Sequence, residues 1–387
     1  MPLKDVFLLF LLWCAGLAAA MQFAKVAVPF AHIQEIYPHY DNELGWLLSL
    51  ISLVGAVLGI VGGALVGGFG AKRVLLSGLL LGAAMSFWQA SLPSFAIMLS
   101  SRVLEGLAHL AIVVAAPTLM AQLASDRYRG LVMTIWGTFF GVAFVLVAWL
   151  GAPLLAHGGL PLLFIVHGGV LIFIAMPLAA GLPGDLADHS RSPGFGLDHV
   201  LRQHAKAYRS PFISAPGIGW LFYTFTFVSL LTILPQLVPQ DTRAWLSGVM
   251  PMVSIVSSLL LVPLLLQFTT GINIVILGLG GGMLIVLSTA LGINLVIIGI
   301  VLFAVLGLTQ GATFAAIPQL NSTVEARALS YGVMAQTGNL GNLVGTPVLL
   351  AVLGFGGQTM MFVAAASAYA MAIFAHILLA RRRRETW

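Results

Sequence analysis

Charge is scarce in this chain. Only 7% of its 387 residues are Asp, Glu, Lys or Arg, against 60% hydrophobic, and the mean hydropathy is +1.04. Soluble domains carry about 25% charged residues. An aqueous core has no room for so much apolar surface, so most of the solvent must be lipid. Acids are scarcer than bases, 12 against 17, for a formal net charge of +5. In a lipid-embedded chain that surplus belongs to loops facing anionic headgroups, and it implies no nucleic-acid partner. The single cysteine, Cys14, excludes an internal disulfide and leaves the compartment open. No Gly-x-x-x-x-Gly-Lys-Ser/Thr loop occurs, so ATP-driven pumping has no support. No group of Cys, His and carboxylates has metal-ligand spacing, and no nucleophile–base arrangement stands out. The expectation is therefore no cofactor, no metal and no enzyme.

What is abundant is apolar sequence in long runs. Twelve runs approach or exceed the ~20 residues that cross a bilayer, near 6–31, 45–67, 74–92, 94–123, 131–155, 160–182, 212–238, 245–268, 273–292, 294–318, 330–353 and 357–380. The first is too long for a signal-peptide core and lacks a small-residue cleavage site, so it is expected to be retained. The fold class that follows is all-α, a polytopic membrane protein of twelve helices in two pseudo-symmetric six-helix bundles. Expected boundaries are 1–182 for the first bundle, 183–211 for a cytoplasmic central loop and 212–387 for the second. With the N-terminus inside, cytoplasmic segments hold Lys4, Lys72, Arg73, Arg127, Arg129, Arg191, Arg202, Lys206, Arg209, Arg327 and Arg381 to Arg384. Outside loops hold only Arg243. Both termini are thus expected in the cytoplasm, in an inner (plasma) membrane. Within the central loop, Leu197, Val200, Leu201 and Tyr208 share one side, which reads either as an amphipathic surface helix or as a plain linker.

The halves echo each other. Trp46-Leu47-Leu48-Ser49-Leu50 returns as Trp245-Leu246-Ser247-Gly248-Val249, and Arg129-Gly130-Leu131 as Arg327-Ala328-Leu329, at offsets of 199 and 198. Nearly equal offsets argue for duplication of a six-helix unit.

Inside the fourth run, Arg102, Glu105 and His109 occupy one helical face. Each ionisable group at membrane depth costs about 2.5–3.5 kcal/mol on the mildest insertion scale, so a cluster marks a candidate site. Lys25 lies about 28 Å along the first run from Val6 at 1.5 Å per residue, past the midplane. It either snorkels to the outer interface or lines a central cavity beside Gln22 and Phe23, pairing there with an anionic group of the solute or with Glu105. Arg102 offers a bidentate fork. Glu105 either bridges it structurally or carries a coupling proton, and His109 either relays that proton or packs. Lys25, Arg102 and Glu105 together carry one net positive charge, which favours an anionic or zwitterionic solute. Such a division of labour requires Lys25 and Glu105 to face one cavity. The second half offers only neutral candidates: Tyr223, Thr224, Thr226, Gln310, Gln336, Asn339 and Asn342. Amides of this kind can instead glue helices together. Trp136 is an aromatic candidate for the cavity wall. His167 and His376 read as packing residues. Gly55, Gly59, Gly63 and Gly67 repeat every four residues, a surface for close helix approach, with Gly338, Gly341 and Gly345 as its counterpart in the eleventh run.

Twelve spans, an internal duplication and a central loop resemble the major facilitator superfamily. Gly63-Ala64-Leu65-Val66-Gly67-Gly68-Phe69-Gly70-Ala71-Lys72-Arg73 resembles the family's loop between its second and third helices. It matches at Gly63, Leu65, Gly70, Lys72 and Arg73, whereas Gly67 stands where the family has Asp and Gly68 where it has Arg. Arg102-Val103-Leu104-Glu105-Gly106 resembles a fourth-helix pattern linked in the family to proton coupling. No Gly-Pro pair follows Gly137 and Gly141, so the exporter signature is weak. With Val113-Val114-Ala115-Ala116-Pro117 and Thr134-Ile135-Trp136-Gly137-Thr138, the chain is also similar to the cyanate and nitroimidazole porter group. The resemblance implies a monomeric secondary transporter of a small anion or zwitterion, coupled to protons and working by alternating access. The alternatives are an exporter of small drugs or metabolites, or a non-transporting sensor on the same scaffold.

Overall fold

The computed structural model describes residues 2–40, 43–59, 66, 69–184 and 197–385. Among these every regular element is helical. Among the described residues nine helices are long and apolar enough to cross a membrane, two of them interrupted, which is consistent with the twelve spans expected. The protein is a multi-pass membrane protein, since only helices satisfy every backbone group within their own segment in lipid.

The chain packs as two compact units, Met1–Pro38 with Val61–Gly196 and His39–Ile60 with Leu197–Trp387. The first unit holds α1 (Leu3–Ala27), α2 (Phe30–Ile36), α5 (Ala71–Gln89), α6 (Phe95–Leu123), α7 (Asp126–Trp136) and α8 (Phe139–Gly181). The second holds α3 (Gly45–Ser49), α4 (Leu53–Leu58), α9 (Leu197–Arg209), α10 (Ser214–Ile233), α11 (Gln240–Leu265), α12 (Gly271–Leu287), α13 (Leu295–Leu320) and α14 (Val324–Glu385).

Local chemistry explains the breaks. α1 follows Pro2, carries Asp5 in its first turn where the dipole favours an acid, and ends before Pro29, which has no N–H to continue the ladder. α8 is two spans, because Gly158 and Gly159 leave helical geometry and Gly159 takes φ +61°, just ahead of Pro161. In α14 Gly357 does the same at φ +67°. The two tightest junctions expected from the sequence also break. Leu92 turns the chain at φ +48° before Pro93, and Gly292 turns it at φ +73° before Asn294, whose Oδ1 accepts from Val296 N at 2.8 Å and caps α13.

The grouping of His39–Ile60 with the second unit differs from the expected boundary at 182, and its packing gives the reason. Side chains on Gly55 and Gly59 would collide with Asn339 and Gln336. Ser49 Oγ donates to Asn342 O at 3.0 Å and Gln336 Nε2 to Ala56 O at 2.9 Å. The glycines of α14 serve another neighbour. A Cβ on Gly338 would meet Trp220, and one on Gly341 would meet Thr224 and the Leu221 carbonyl, so this surface closes on α10 rather than on the 45–58 segment. Gly63, Leu65, Gly67 and Gly68 lie outside the described residues, as does 185–196 of the central loop, Arg191 included. The second part of that loop is helical, as α9.

Candidate functional site

The first unit encloses a cluster of ionisable side chains drawn from four helices. α1 supplies Gln22, Phe23 and Lys25. α5 supplies Ser86 and Gln89, one turn apart. α6 supplies Ser101, Arg102, Glu105 and His109, and α8 supplies Phe164 and His167. Lys25 is 1% exposed, Arg102 and Glu105 0%.

Glu105 is the centre. Its Oε1 faces Lys25 Nζ at 2.7 Å. Its Oε2 accepts from Arg102 Nη1, three residues back on the same helix, and from Gln89 Nε2 at 2.9 Å. Gln89 Nε2 also donates to Ser101 Oγ at 3.1 Å. Lys25 Nζ in turn donates to Ser86 Oγ at 2.5 Å and stands 5.2 Å from the centre of the Phe164 ring. Burying ions costs several kcal/mol apiece by order of magnitude, so such groups persist only with partners this close.

His167 completes the far side. Its Nε2 donates to Ala18 O at 2.9 Å, which leaves Nδ1 to accept. Ser86 Oγ lies 2.6 Å from Nδ1 and Lys25 Nζ 3.4 Å from it. A lysine can only donate, so this geometry assigns a neutral imidazole. His109 Nδ1 donates to Ala19 O at 3.1 Å, and its ring meets Phe23 edge-on at 5.1 Å. Gln22, one turn before Lys25 on α1, is 0% exposed, and neither amide atom has a hydrogen-bond partner among the described residues. Its Nε2 occupies the space that a side chain on Gly82 would take.

Counted over Lys25, Arg102 and Glu105 with His167 neutral, the cluster holds one positive charge in excess. Lys25 and Glu105 do face each other, but in this conformation they are sealed from solvent rather than set in an open cavity.

The Major Facilitator Superfamily model matches residues 8–346. The chain belongs to that superfamily. It is a family of transporters, not enzymes. The galactose-proton symporter of Escherichia coli strain K12 is 27% identical over 154 residues, 40% of this chain and 33% of the symporter. The same symporter of Escherichia coli O6:H1 matches over the same extent. The chain therefore aligns with about a third of those relatives' length. Two crystal structures of a bacterial homologue of the human lysosomal transporter Spinster, both inward-facing, share the fold. The unoccupied one has a TM-score of 0.72 at 13% identity, covering 98% of this chain and 96% of that one. The occupied one has a TM-score of 0.75 at 14% identity, covering 98% of each.

In this major facilitator chain, the remaining sequence candidates stand elsewhere. Trp136 stacks on Phe139 at 4.6 Å and closes on Gly16. In the second unit, Tyr223 stacks between Trp220 and Phe227 at 4.7 and 5.0 Å. Gln310 Oε1 accepts from Ser254 Oγ at 3.0 Å. Gln336 accepts from Tyr208 Oη at 2.8 Å besides donating to Ala56, and Asn339 donates to its own helix at Ala335 O, 2.8 Å. These bonds tie helices or turns within that unit. Sequence reasoning missed Ser86, Gln89, Ser101 and Phe164, and set His167 aside as packing. A serine or glutamine in an apolar run gives no sign of its partner. The one available signal was polar spacing, Ser86 and Gln89 falling one helical turn apart.

Proposed function

We propose that this chain is a proton-coupled secondary transporter of a small anion or zwitterion, working as a monomer by alternating access in the inner membrane with both termini cytoplasmic. One observation carries the reading: a buried excess positive charge, with the amide of Gln22 buried and without a partner among the described residues one helical turn before Lys25. Buried amides almost always find partners, so an unpartnered one next to surplus charge is what a recognition point for a polar anion needs. In this reading the solute's negative group displaces Glu105 from Lys25, and Gln22 bonds the solute's polar edge. Glu105 keeps Arg102 and becomes free to accept a proton, with His109, the least buried ionisable group on that face, as relay. Opening of the first unit must precede this, since the cluster is sealed. The similarity to the cyanate and nitroimidazole porter group in the fourth and fifth runs supports a small solute, and the Lys/Arg asymmetry of the loops supports the orientation. Tyr223, Gln310, Gln336 and Asn339 would contribute only after their present bonds rearrange.

The partial match to a galactose-proton symporter favours a second reading, a neutral sugar-like solute carried with protons. Proteoliposomes with an inward proton gradient separate the two. Accumulation of a small monoanion such as cyanate, collapsing with a protonophore, is the expected result. Lys25→Met keeps the volume and leaves Arg102 and Glu105 as a neutral pair. It should fold, and it should lower uptake about 100-fold, equivalent to about 2.7 kcal/mol. Undiminished uptake by that variant removes Lys25 from the site. Galactose accumulation without any anion flux replaces the anion reading with the sugar one.

A further inference from the structure

The second unit contains a cavity of about 490 Å³ where the start of α12, the end of α13 and the end of α14 meet. That volume is within the ~300–1,000 Å³ of small-molecule sites. Arg381, Arg383 and Arg384 line it, and none of its lining residues is acidic among the described residues. Arg383 Nη1 is anchored on Pro211 O at 3.0 Å. Thr270 and Asn273 stand at the first turn of α12, where Gly271 N donates to Gln319 Oε1 at 2.8 Å and Asn273 N to Thr270 Oγ1 at 3.4 Å, so that end adds its dipole to the space. His376, a packing residue by its sequence context alone, lines the cavity too. It is 0% exposed, and neither ring nitrogen has a hydrogen-bond partner among the described residues. The remaining wall is apolar, with Ile272, Leu320 and Ile377.

We propose that this cavity binds the phosphate headgroup of an anionic phospholipid. Three helix termini meeting at one level place it at a membrane face, where headgroups are concentrated. Guanidinium groups recognise phosphate oxygens, and the dipole of α12 favours an anion at its start. The apolar wall takes the start of the acyl chains. A free phosphate ion has no use for that wall, which makes the lipid the occupant.

The test uses full-length protein, delipidated in detergent and titrated with phosphatidylglycerol, phosphatidylcholine or inorganic phosphate, read by native mass spectrometry. Phosphatidylglycerol should give discrete adducts that phosphatidylcholine does not give and inorganic phosphate does not displace. The double variant Arg381→Gln with Arg384→Gln should bind phosphatidylglycerol about 30-fold more weakly. Arg382→Gln, which removes a charge from the same helix end without lining the cavity, should bind it unchanged. Wild-type affinity in the double variant overturns the proposal, as does equal weakening by Arg382→Gln, which would indicate unspecific attraction. Displacement by millimolar inorganic phosphate would mark a free-anion site instead. Should the double variant fail to fold, a photoactivatable phosphatidylglycerol on the wild-type protein decides. Labelling of 376–384 supports the site, and its absence there refutes it.

Discussion

The two units solve the same problem, polar side chains inside a lipid-embedded bundle, in opposite ways. In the first, the buried polar set includes Lys25, Arg102 and Glu105, of which Arg102 and Glu105 pair on one helix and Lys25 joins them from another. In the second, the buried polar side chains among the described residues are hydroxyls, amides and His376. The hydroxyls mostly bond back to their own helix. Thr226 donates to Phe222 O at 3.0 Å, Ser229 to Phe225 O at 2.7 Å, Thr232 to Val228 O at 2.8 Å and Thr337 to Val333 O at 2.8 Å. A hydroxyl satisfied within its own turn places no demand on a neighbour. Glu105 meets Arg102 within one turn of its own helix, yet it also draws Lys25 and Gln89 from two other helices. Of the two units, the first is the one whose described interior holds charge.

The sharpest way to break this comparison is to unbalance the charges. Glu105→Gln leaves Lys25 and Arg102 without their shared carboxylate, and should destabilise the protein by about 3–5 kcal/mol, read by thermal unfolding in detergent. Adding Lys25→Met should restore more than half of that loss. Strictly additive losses would mean that the charges do not act as a set.

A smaller effect probes what holds the second unit. Gly341 sits against Thr224 and the carbonyl of Leu221, so Gly341→Leu must push α10 and α14 apart. Overpacking of this kind costs about 1–3 kcal/mol. A variant as stable as the parent would show that close glycine contact does not secure this pair.

The smallest effect should come from Gln310→Leu, which removes the bond with Ser254. Interhelical hydrogen bonds in membranes average about 0.6 kcal/mol. A loss rivalling that of Glu105→Gln would erase the contrast between the units.

The spans were legible because length and hydropathy suffice to define a helix in lipid, and Gly159, Gly292 and Gly357 mark turns that glycine adopts without strain. Arg102 and Glu105 were legible as a pair, being three residues apart on one helix. Lys25 was legible as an anomaly with two candidate partners, an anionic group of the solute or Glu105, and the structure pairs it with Glu105. His167 was misread, because a histidine in an apolar run looks the same whether it packs or bonds. His376 is fully buried and packs against Gly219, as a packing residue does, and its place beside Arg381, Arg383 and Arg384 was visible only in the cavity they line. The glycines of α14 suggested a sliding surface, but spacing alone does not say which neighbour a surface meets.

By itself, then, the sequence determined that this chain is a bundle of membrane-spanning helices, that short stretches of its halves echo each other, and that three charges lie within apolar runs. Each of these depends on composition and on periods within a single helix. The tertiary structure decided which charges meet. Lys25 reaches Ser86 across 61 positions and His167 across 142, and only helix packing sets such pairings. It also decided that Gln22, one turn from Lys25, is buried with no hydrogen-bond partner among the described residues. Burial is a property of the assembled unit, and no single stretch of sequence contains it.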